Sequence, residues 1–129
     1  MGKKLVNKQR PINLELNTIS FPASAIASIL HRVTGVIMFF AMGILMWLLA
    51  ASLGSESGFD CVQEWSSSPF AKFIYWGILT ALAYHLLGGL RHLVMDLGFW
   101  EEIQSGNSSA QITIALTVVL SVLAGVWLW

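Results

Sequence analysis

The sequence has few charged side chains and almost no cysteine. Charged residues make up 11% of the 129 residues, hydrophobic residues make up 56%, and the mean hydropathy is +0.70. This balance excludes an ordinary soluble domain. Because Cys61 is the only cysteine, the chain lacks the thiols for an internal disulfide or an iron-sulfur cluster, and it has no flavin or nucleotide fingerprint. The chain alone is therefore not a complete enzyme.

Two long hydrophobic runs, at 33–53 and 112–129, contain no charge, and in a third, at 73–90, only His85 can become charged near neutral pH. Crossing a hydrocarbon core of about 30 Å takes roughly 20 helical residues, so each run, extended by its flanks, is long enough. Helices are required because a lipid-exposed strand would leave backbone groups unpaired. The sequence predicts an all-α membrane protein in one domain, 1–129. The three predicted transmembrane helices lie at about 26–53, 70–95 and 110–129.

Basic residues are concentrated on one side of the first predicted helix. The segment 1–25 contains four of them and Arg32 follows, whereas the loop at 54–71 contains acidic residues and no base. Because Lys and Arg are retained on the cytoplasmic side, we expect segment 1–25 to be cytoplasmic. Three helices then place the C-terminus on the opposite side, with Trp127 and Trp129 as interfacial anchors. The four basic residues are Lys3, Lys4, Lys8 and Arg10.

Two loops connect the predicted helices. The outer loop, 54–71, begins with a glycine-containing turn at 54–58 and ends with a serine-proline turn at 66–69. The second loop, 96–111, is expected to be cytoplasmic because it follows the second crossing. Cys61 lies in the outer loop, where a single cysteine predicts no site.

The start of the first predicted helix carries Ser28, His31 and Arg32. Their spacing of three and four residues places them on one side of the helix. A serine hydroxyl can donate or accept a hydrogen bond, and a guanidinium binds carboxylates bidentately. Snorkelling at a membrane edge is the simpler interpretation of Arg32. The group is a candidate site at the cytoplasmic edge of the membrane.

The second predicted helix carries a second group of ionisable residues. His85 and His92 are seven residues apart and share a face, and Asp96 joins them because it lies four residues after His92. Arg91 and His92 lie near enough to the helix end to snorkel to the interface. Asp96 is either a proton relay or an exposed carboxylate at a helix end, and the second interpretation is favoured.

His85 is the deepest of these residues, roughly 16 Å from Asp96 at helical rise. An imidazole at this depth marks a functional site by default, and a neutral imidazole is a strong ligand for haem iron. Small residues nearby would admit a flat macrocycle or simply a second helix, so packing remains an alternative. Two axial histidines must lie at one depth, and we expect His31 to be too shallow. A haem would therefore be shared with another subunit.

The polar motifs, taken in their order along the chain, also resemble those of a known family. They are Arg10-Pro11, then Ser28-x-x-His31-Arg32-x-Thr34, and finally HLLGGLRHLVMD from His85 to Asp96. The sequence resembles the cytochrome b membrane-anchor subunits of bacterial succinate dehydrogenase, the respiratory complex II of the tricarboxylic acid cycle. The resemblance covers essentially the whole chain, and neither motif visibly departs from the family pattern.

This resemblance implies a subunit of a heteromeric helical bundle in the bacterial inner membrane, with the C-terminus in the periplasm. The implied partners are a flavoprotein, an iron-sulfur protein and a second small anchor subunit, and no nucleic acid. By family position, His85 would be one axial ligand of a haem b shared with the second anchor. Ser28 and Arg32 would bind ubiquinone, and His31 with Arg32 would lie near the haem propionates.

Other functions fit parts of the pattern. The anchor of a quinol:fumarate reductase would share this architecture and run the electrons in the opposite direction. A non-catalytic membrane scaffold would use His85 only for packing, and it would have no haem absorbance. A small transporter would need a charged residue deep in a helix and a pore of its own, and neither is evident in the sequence.

Overall fold

The computed structural model describes residues 14–129 and is helical, with no strand in that range. A short 3₁₀ turn, Leu16–Thr18, precedes four α-helices. The α-helices are α1 (Ala23–Gly54), α2 (Glu56–Ser66), α3 (Pro69–Asp96) and α4 (Ile103–Leu128). The predictions that rest on Lys3, Lys4, Lys8 and the Arg10-Pro11 pair lie outside the described residues.

Helices α1, α3 and α4 are each long and apolar enough to cross a membrane. This confirms the predicted class, an all-α protein with three transmembrane helices. The first two predicted ranges, 26–53 and 70–95, lie within α1 and α3. The third helix begins at Ile103, seven residues before the predicted 110, so the connection after α3 is shorter than the loop predicted at 96–111. Sequence polarity between 103 and 111 concealed this start, because Gly106 and Ser109 bind Arg91 of α3 and Asn107 binds the start of α1.

The 54–71 segment connects α1 and α3 and contains the predicted turn at 66–69, but most of it is α2 and not a loop. Ser55 caps this helix by accepting a hydrogen bond from the Gly58 N–H at 3.0 Å. An acidic residue, Glu56, occupies the first turn, where it complements the positive end of the helix dipole. Gly58, Val62 and Trp65 line a pocket together with residues of α1. Their spacing of about four residues is typical of an amphipathic helix with one face against a neighbour.

Few large side chains are buried in the described chain. The buried hydrophobic residues are mostly alanines, whereas Phe39 is 76% exposed and Trp47 is 70% exposed. Membrane helices associate through small residues and polar contacts, because lipid removes the hydrophobic drive between them. The outward apolar faces therefore suit lipid or other membrane helices.

Small and polar residues form the contact between α3 and α4. Gly106, Ser109, Thr113, Thr117 and Ser121 recur along one side of α4 and are all buried. Two hydrogen bonds cross the contact at its Ser121 end, from Trp76 Nε1 to Ser121 O at 2.8 Å and between Thr80 Oγ1 and Ser121 Oγ at 2.7 Å. This pattern brings the two backbones close together and satisfies polar groups inside the membrane.

The start of α1 is completed by α4. Pro22 precedes the helix and provides no side-chain cap. Instead, the Asn107 side chain on α4 accepts a hydrogen bond from the Ser24 N–H at 3.1 Å. The first backbone donors of a helix have no partner within it, so this contact performs the task of a missing N-cap.

Candidate functional site

The site lies where the first part of α1 packs against the last part of α3. Tyr84 is buried and donates a hydrogen bond through its hydroxyl to Ala27 O at 2.8 Å. This bond fixes the turn of α1 that also carries Ser28. One turn further along α1, His31 meets α3 beside His85.

His31 and His85 stack face to face. Their ring centroids are 4.3 Å apart and their planes differ by 4°. The prediction that His31 is much shallower than His85 is therefore wrong. That prediction placed His31 near the cytoplasmic edge at the start of the helix, but α1 begins at Ala23, which places His31 about 12 Å into the helix. The two imidazoles lie at one depth.

A specific set of contacts holds the His85 ring. Its Nδ1 lies 3.3 Å from the His31 backbone oxygen and 3.3 Å from Thr34 Oγ1. Thr34 Oγ1 also lies 2.9 Å from Leu30 O and 3.0 Å from His31 O. Its single hydrogen is directed at these two carbonyl oxygens, so Thr34 Oγ1 can only accept from Nδ1. Since a carbonyl oxygen only accepts, Nδ1 must carry the hydrogen of the neutral ring. Nε2 is then the lone-pair nitrogen, and it has no protein partner among residues 14–129.

Glycines allow this approach of α1 and α3. A methyl group at Gly88 would lie 3.0 Å from His31 Cδ2, and one at Gly35 would lie 3.2 Å from His85 Cε1. Both distances are shorter than ordinary van der Waals contacts. By contrast, a methyl group at Gly77 would meet nothing within 4 Å. Of the four small residues predicted around His85, Gly88 and Gly89 lie against His31, Ala81 is buried and Gly77 faces open space.

Ser28 and Arg32 lie on α1 four residues apart, as the sequence predicted. Ser28 is half-buried and Arg32 is exposed. Neither side chain has a hydrogen-bond or ion-pair partner among the described residues. In a region where neighbouring polar groups are paired, these two remain available to a ligand or to another subunit.

The three ionisable residues near the end of α3 occupy different environments. His92 is half-buried and meets His31 edge to face, with ring centroids 5.1 Å apart. Asp96 is exposed at the last residue of the helix. Arg91 is buried, with 4% of its surface exposed, so the snorkelling interpretation is wrong for this residue. Its guanidinium binds α4 instead of reaching the interface.

The geometry brings together His31, His85 and His92, with Ser28 and Arg32 on the adjoining turns of α1. Sequence reasoning gave no role to Gly35 or Tyr84. The signal for Tyr84 was available, since it directly precedes His85 in a hydrophobic run, but its acceptor lies 57 residues away. Such a pairing depends on how α1 and α3 pack.

The chain matches the family described as the succinate dehydrogenase/fumarate reductase transmembrane subunit over residues 6–124. It is 40% identical over 125 residues to the succinate dehydrogenase cytochrome b556 subunit of Coxiella burnetii, covering 96% of this chain and 100% of that protein. It is 39% identical over 114 residues to the subunit of the same name in Paracoccus denitrificans, covering 88% of each chain. The corresponding Rickettsia bellii subunit is 34% identical over 129 residues, with 98% and 96% covered.

These matches extend over almost the whole chain and include all three transmembrane helices as well as both polar groups. The chain belongs to the succinate dehydrogenase/fumarate reductase transmembrane subunit family.

Proposed function

We propose that this chain is the cytochrome b anchor of a succinate:ubiquinone oxidoreductase. It would hold a haem b jointly with a second small anchor subunit and form part of the site where ubiquinone is reduced. The observation that carries the proposal is the His85 ring, whose Nδ1 is held by two acceptors while Nε2 is left without a protein partner. The named relatives are cytochrome b556 subunits of succinate dehydrogenase, which supports a b-type haem.

The residues of this chain fit a haem group. A ligating histidine is usually fixed through its second ring nitrogen by a carbonyl or another acceptor, as Nδ1 of His85 is by His31 O. His85 Nε2 would then be one axial ligand. When bound, the haem supplies a one-electron redox centre whose potential depends on its axial ligands and their hydrogen bonds. The backbone carbonyl of His31 and the hydroxyl of Thr34 orient the His85 ring.

The second axial ligand would come from the other anchor subunit. An imidazole lone pair lies in the plane of its ring, and the stacked rings of His31 and His85 lie in two separate parallel planes, so we do not assign both histidines to one haem iron. His31 and the exposed Arg32 would instead meet the haem propionates, since imidazolium and guanidinium both form charge-assisted bonds with carboxylates.

Quinone reduction requires two electrons and two protons and therefore needs polar groups near the membrane edge. Ser28 would donate a hydrogen bond from its hydroxyl to a quinone carbonyl. Arg32 would stabilise the negative charge that develops on the reacting oxygen, because a preorganised positive group lowers the energy of that charge. The lack of protein partners at both side chains supports this assignment.

The remaining partners follow from the proposed complex. A flavoprotein would oxidise succinate, and an iron-sulfur protein would pass the electrons to the quinone site at the membrane surface. The excess of basic residues before α1 favours a cytoplasmic N-terminus, which places the C-terminus in the periplasm of a bacterial inner membrane. The site end of α1 would then face the cytoplasm, where the water-soluble subunits bind.

A reduced-minus-oxidised optical spectrum tests the proposal. The complex is purified through this chain as the native sequence, as His85→Ala and as Tyr75→Phe. We expect a b-type signal in the native complex and its loss in His85→Ala. Tyr75→Phe is the matched control on α3, because it removes only the hydrogen bond to Ser66, 2.8 Å long and far from the histidines. An unchanged haem signal in His85→Ala, with all subunits present, would overturn the axial assignment.

A further inference from the structure

Arg91 lies inside a membrane-spanning helix with only 4% of its surface exposed. Its Nε donates to Ser109 Oγ at 2.9 Å, and its Nη2 donates to Gly106 O at 3.1 Å. Both acceptors are neutral groups on α4. The third nitrogen, Nη1, has no acceptor among residues 14–129. The guanidinium is therefore anchored on one side and incompletely paired.

The positive charge of Arg91 has no carboxylate partner within the described chain. The acidic residues that follow along the sequence, Asp96, Glu101 and Glu102, are all exposed. A buried charge is costly without a counter-charge, and an arginine at membrane depth normally pairs with an anion or with several carbonyl groups. The environment of Arg91 thus calls for an anionic group from outside this chain.

An open pocket of about 180 Å³ lies next to the guanidinium, between α3 and α4. Arg91, Ser109 and Thr113 contribute its polar lining. The rest of the wall is largely apolar and includes Leu87, Leu90, Val94, Ile112 and Leu116. An engineered apolar cavity of roughly 150 Å³ is large enough for benzene, so this pocket accommodates a comparable stretch of hydrocarbon. The site combines one buried cation with an apolar groove.

The depth of Arg91 matches the boundary between lipid headgroups and acyl chains. It precedes Asp96, the last residue of α3, by five positions, which is about 7.5 Å at helical rise. Leu87 lies one turn deeper on the same side of α3, and Leu116 is the deepest α4 residue of the pocket. Trp100, which also lines the pocket, belongs to the connection between α3 and α4. An amphiphile with its anionic group at Arg91 would therefore direct its chain toward the membrane centre.

We propose that this pocket binds the phosphate of an anionic phospholipid through Arg91 Nη1, with the upper part of one acyl chain against the leucines. Basic pockets between transmembrane helices on the cytoplasmic side are typical sites for anionic headgroups. A zwitterionic lipid would add a second positive charge, and the pocket lining offers no carboxylate to pair with it. Anionic phospholipid is therefore preferred over phosphatidylcholine.

Native mass spectrometry of the intact complex tests this site. The complex is delipidated by detergent exchange and then incubated with mixed micelles containing phosphatidylglycerol or phosphatidylcholine. The variants are Arg91→Gln, which removes the charge, and Leu116→Trp, which fills the pocket and leaves Arg91 in place. The matched control is Val118→Trp, which adds the same bulk to an exposed position on another side of α4.

We expect the native complex and Val118→Trp to retain one more phosphatidylglycerol than either pocket variant, and to prefer it over phosphatidylcholine. Equal retention in all four proteins overturns the proposal. Loss of a neighbouring subunit from Arg91→Gln, with no loss of lipid from Leu116→Trp, also overturns it and assigns the guanidinium to a carboxylate of that subunit. If Arg91→Gln does not assemble, Leu116→Trp alone decides between the two results.

Discussion

Two contact regions of α3 use polar groups in opposite ways. Around Ser121 of α4, the side chains of Trp76 and Thr80 both form hydrogen bonds within the chain. Toward α1, His85 is held through one ring nitrogen while the other has no partner among the described residues. The contact around Ser121 is therefore closed, whereas the contact with α1 leaves a ligand position open.

This difference separates structural polar groups from functional ones inside a membrane. Polar groups in lipid are costly unless paired, so an unpaired one indicates that a partner from outside the chain is missing. Ser28, Arg32 and His85 Nε2 meet this criterion on the α1 side. On the α4 side Arg91 Nη1 meets it, and that atom is where we place a lipid.

The largest effect is expected for Arg32→Leu. Losing a charge-assisted interaction with the reacting quinone should lower succinate-driven ubiquinone reduction roughly tenfold or more. Phenazine-linked succinate oxidation, which bypasses the quinone site, should remain near the native rate. Both activities are measured on the purified complex. Equal loss of the two activities would show that Arg32 supports assembly and not the quinone site.

Gly88→Ala should disturb the histidine pair. The new methyl group would lie 3.0 Å from His31 Cδ2, so the ring must shift against its neighbours. Overpacking of this kind costs about 1–3 kcal/mol, and we expect a lower unfolding temperature together with a shifted haem spectrum. Gly77→Ala is the control, because its methyl group meets nothing within 4 Å. The close contact would be irrelevant if the two variants behaved alike.

Ser28→Ala should have a smaller effect on activity than Arg32→Leu. Removing one neutral hydrogen bond to the quinone costs about 0.5–1.5 kcal/mol, which corresponds to a roughly two- to tenfold loss of ubiquinone reduction. Because Ser28 has no partner among the described residues, thermal stability should not change. Thermal unfolding of the complex checks this second expectation. A clear loss of stability would place Ser28 in a structural contact.

Thr80→Val should lower thermal stability slightly and leave activity unchanged, which is the opposite of the result expected for Ser28→Ala. It removes the 2.7 Å hydrogen bond to Ser121 in the closed contact. Interhelical hydrogen bonds in membranes contribute about 0.6 kcal/mol on average, so a small decrease in unfolding temperature is expected. Ubiquinone reduction should stay at the native rate. Loss of activity without loss of stability would break the distinction between the two contacts.

The three transmembrane helices were predictable because long uncharged runs have few alternatives in a membrane. The alignment of Ser28 with Arg32 was also predictable, since helical spacing alone decides it. Helix α2 was missed although its signals were present: a capping Ser55, a first-turn Glu56 and an apolar face that includes Val62. Turn-forming residues at both ends of this segment concealed the helix between them.

The remaining features depend on packing between distant segments. The stacking of His31 on His85 requires a particular register of α1 on α3, which no local pattern specifies. The burial of Arg91 depends on acceptors 15 and 18 residues later in the chain. An arginine near a helix end usually reaches the interface, so the general rule predicted the wrong environment here.

The bond from the Ser24 N–H to Asn107 has a consequence for the order of synthesis. The two residues are 83 positions apart in the chain. At roughly 5–20 residues per second, the ribosome completes Asn107 several seconds after Ser24. During that interval the Ser24 N–H lacks the Asn107 side chain as its acceptor. The first turn of α1, directly before the turn that carries Ser28, is therefore uncapped. Insertion of α4 therefore supplies the cap of α1. A chain stopped before α4 carries the site residues next to an uncapped helix end.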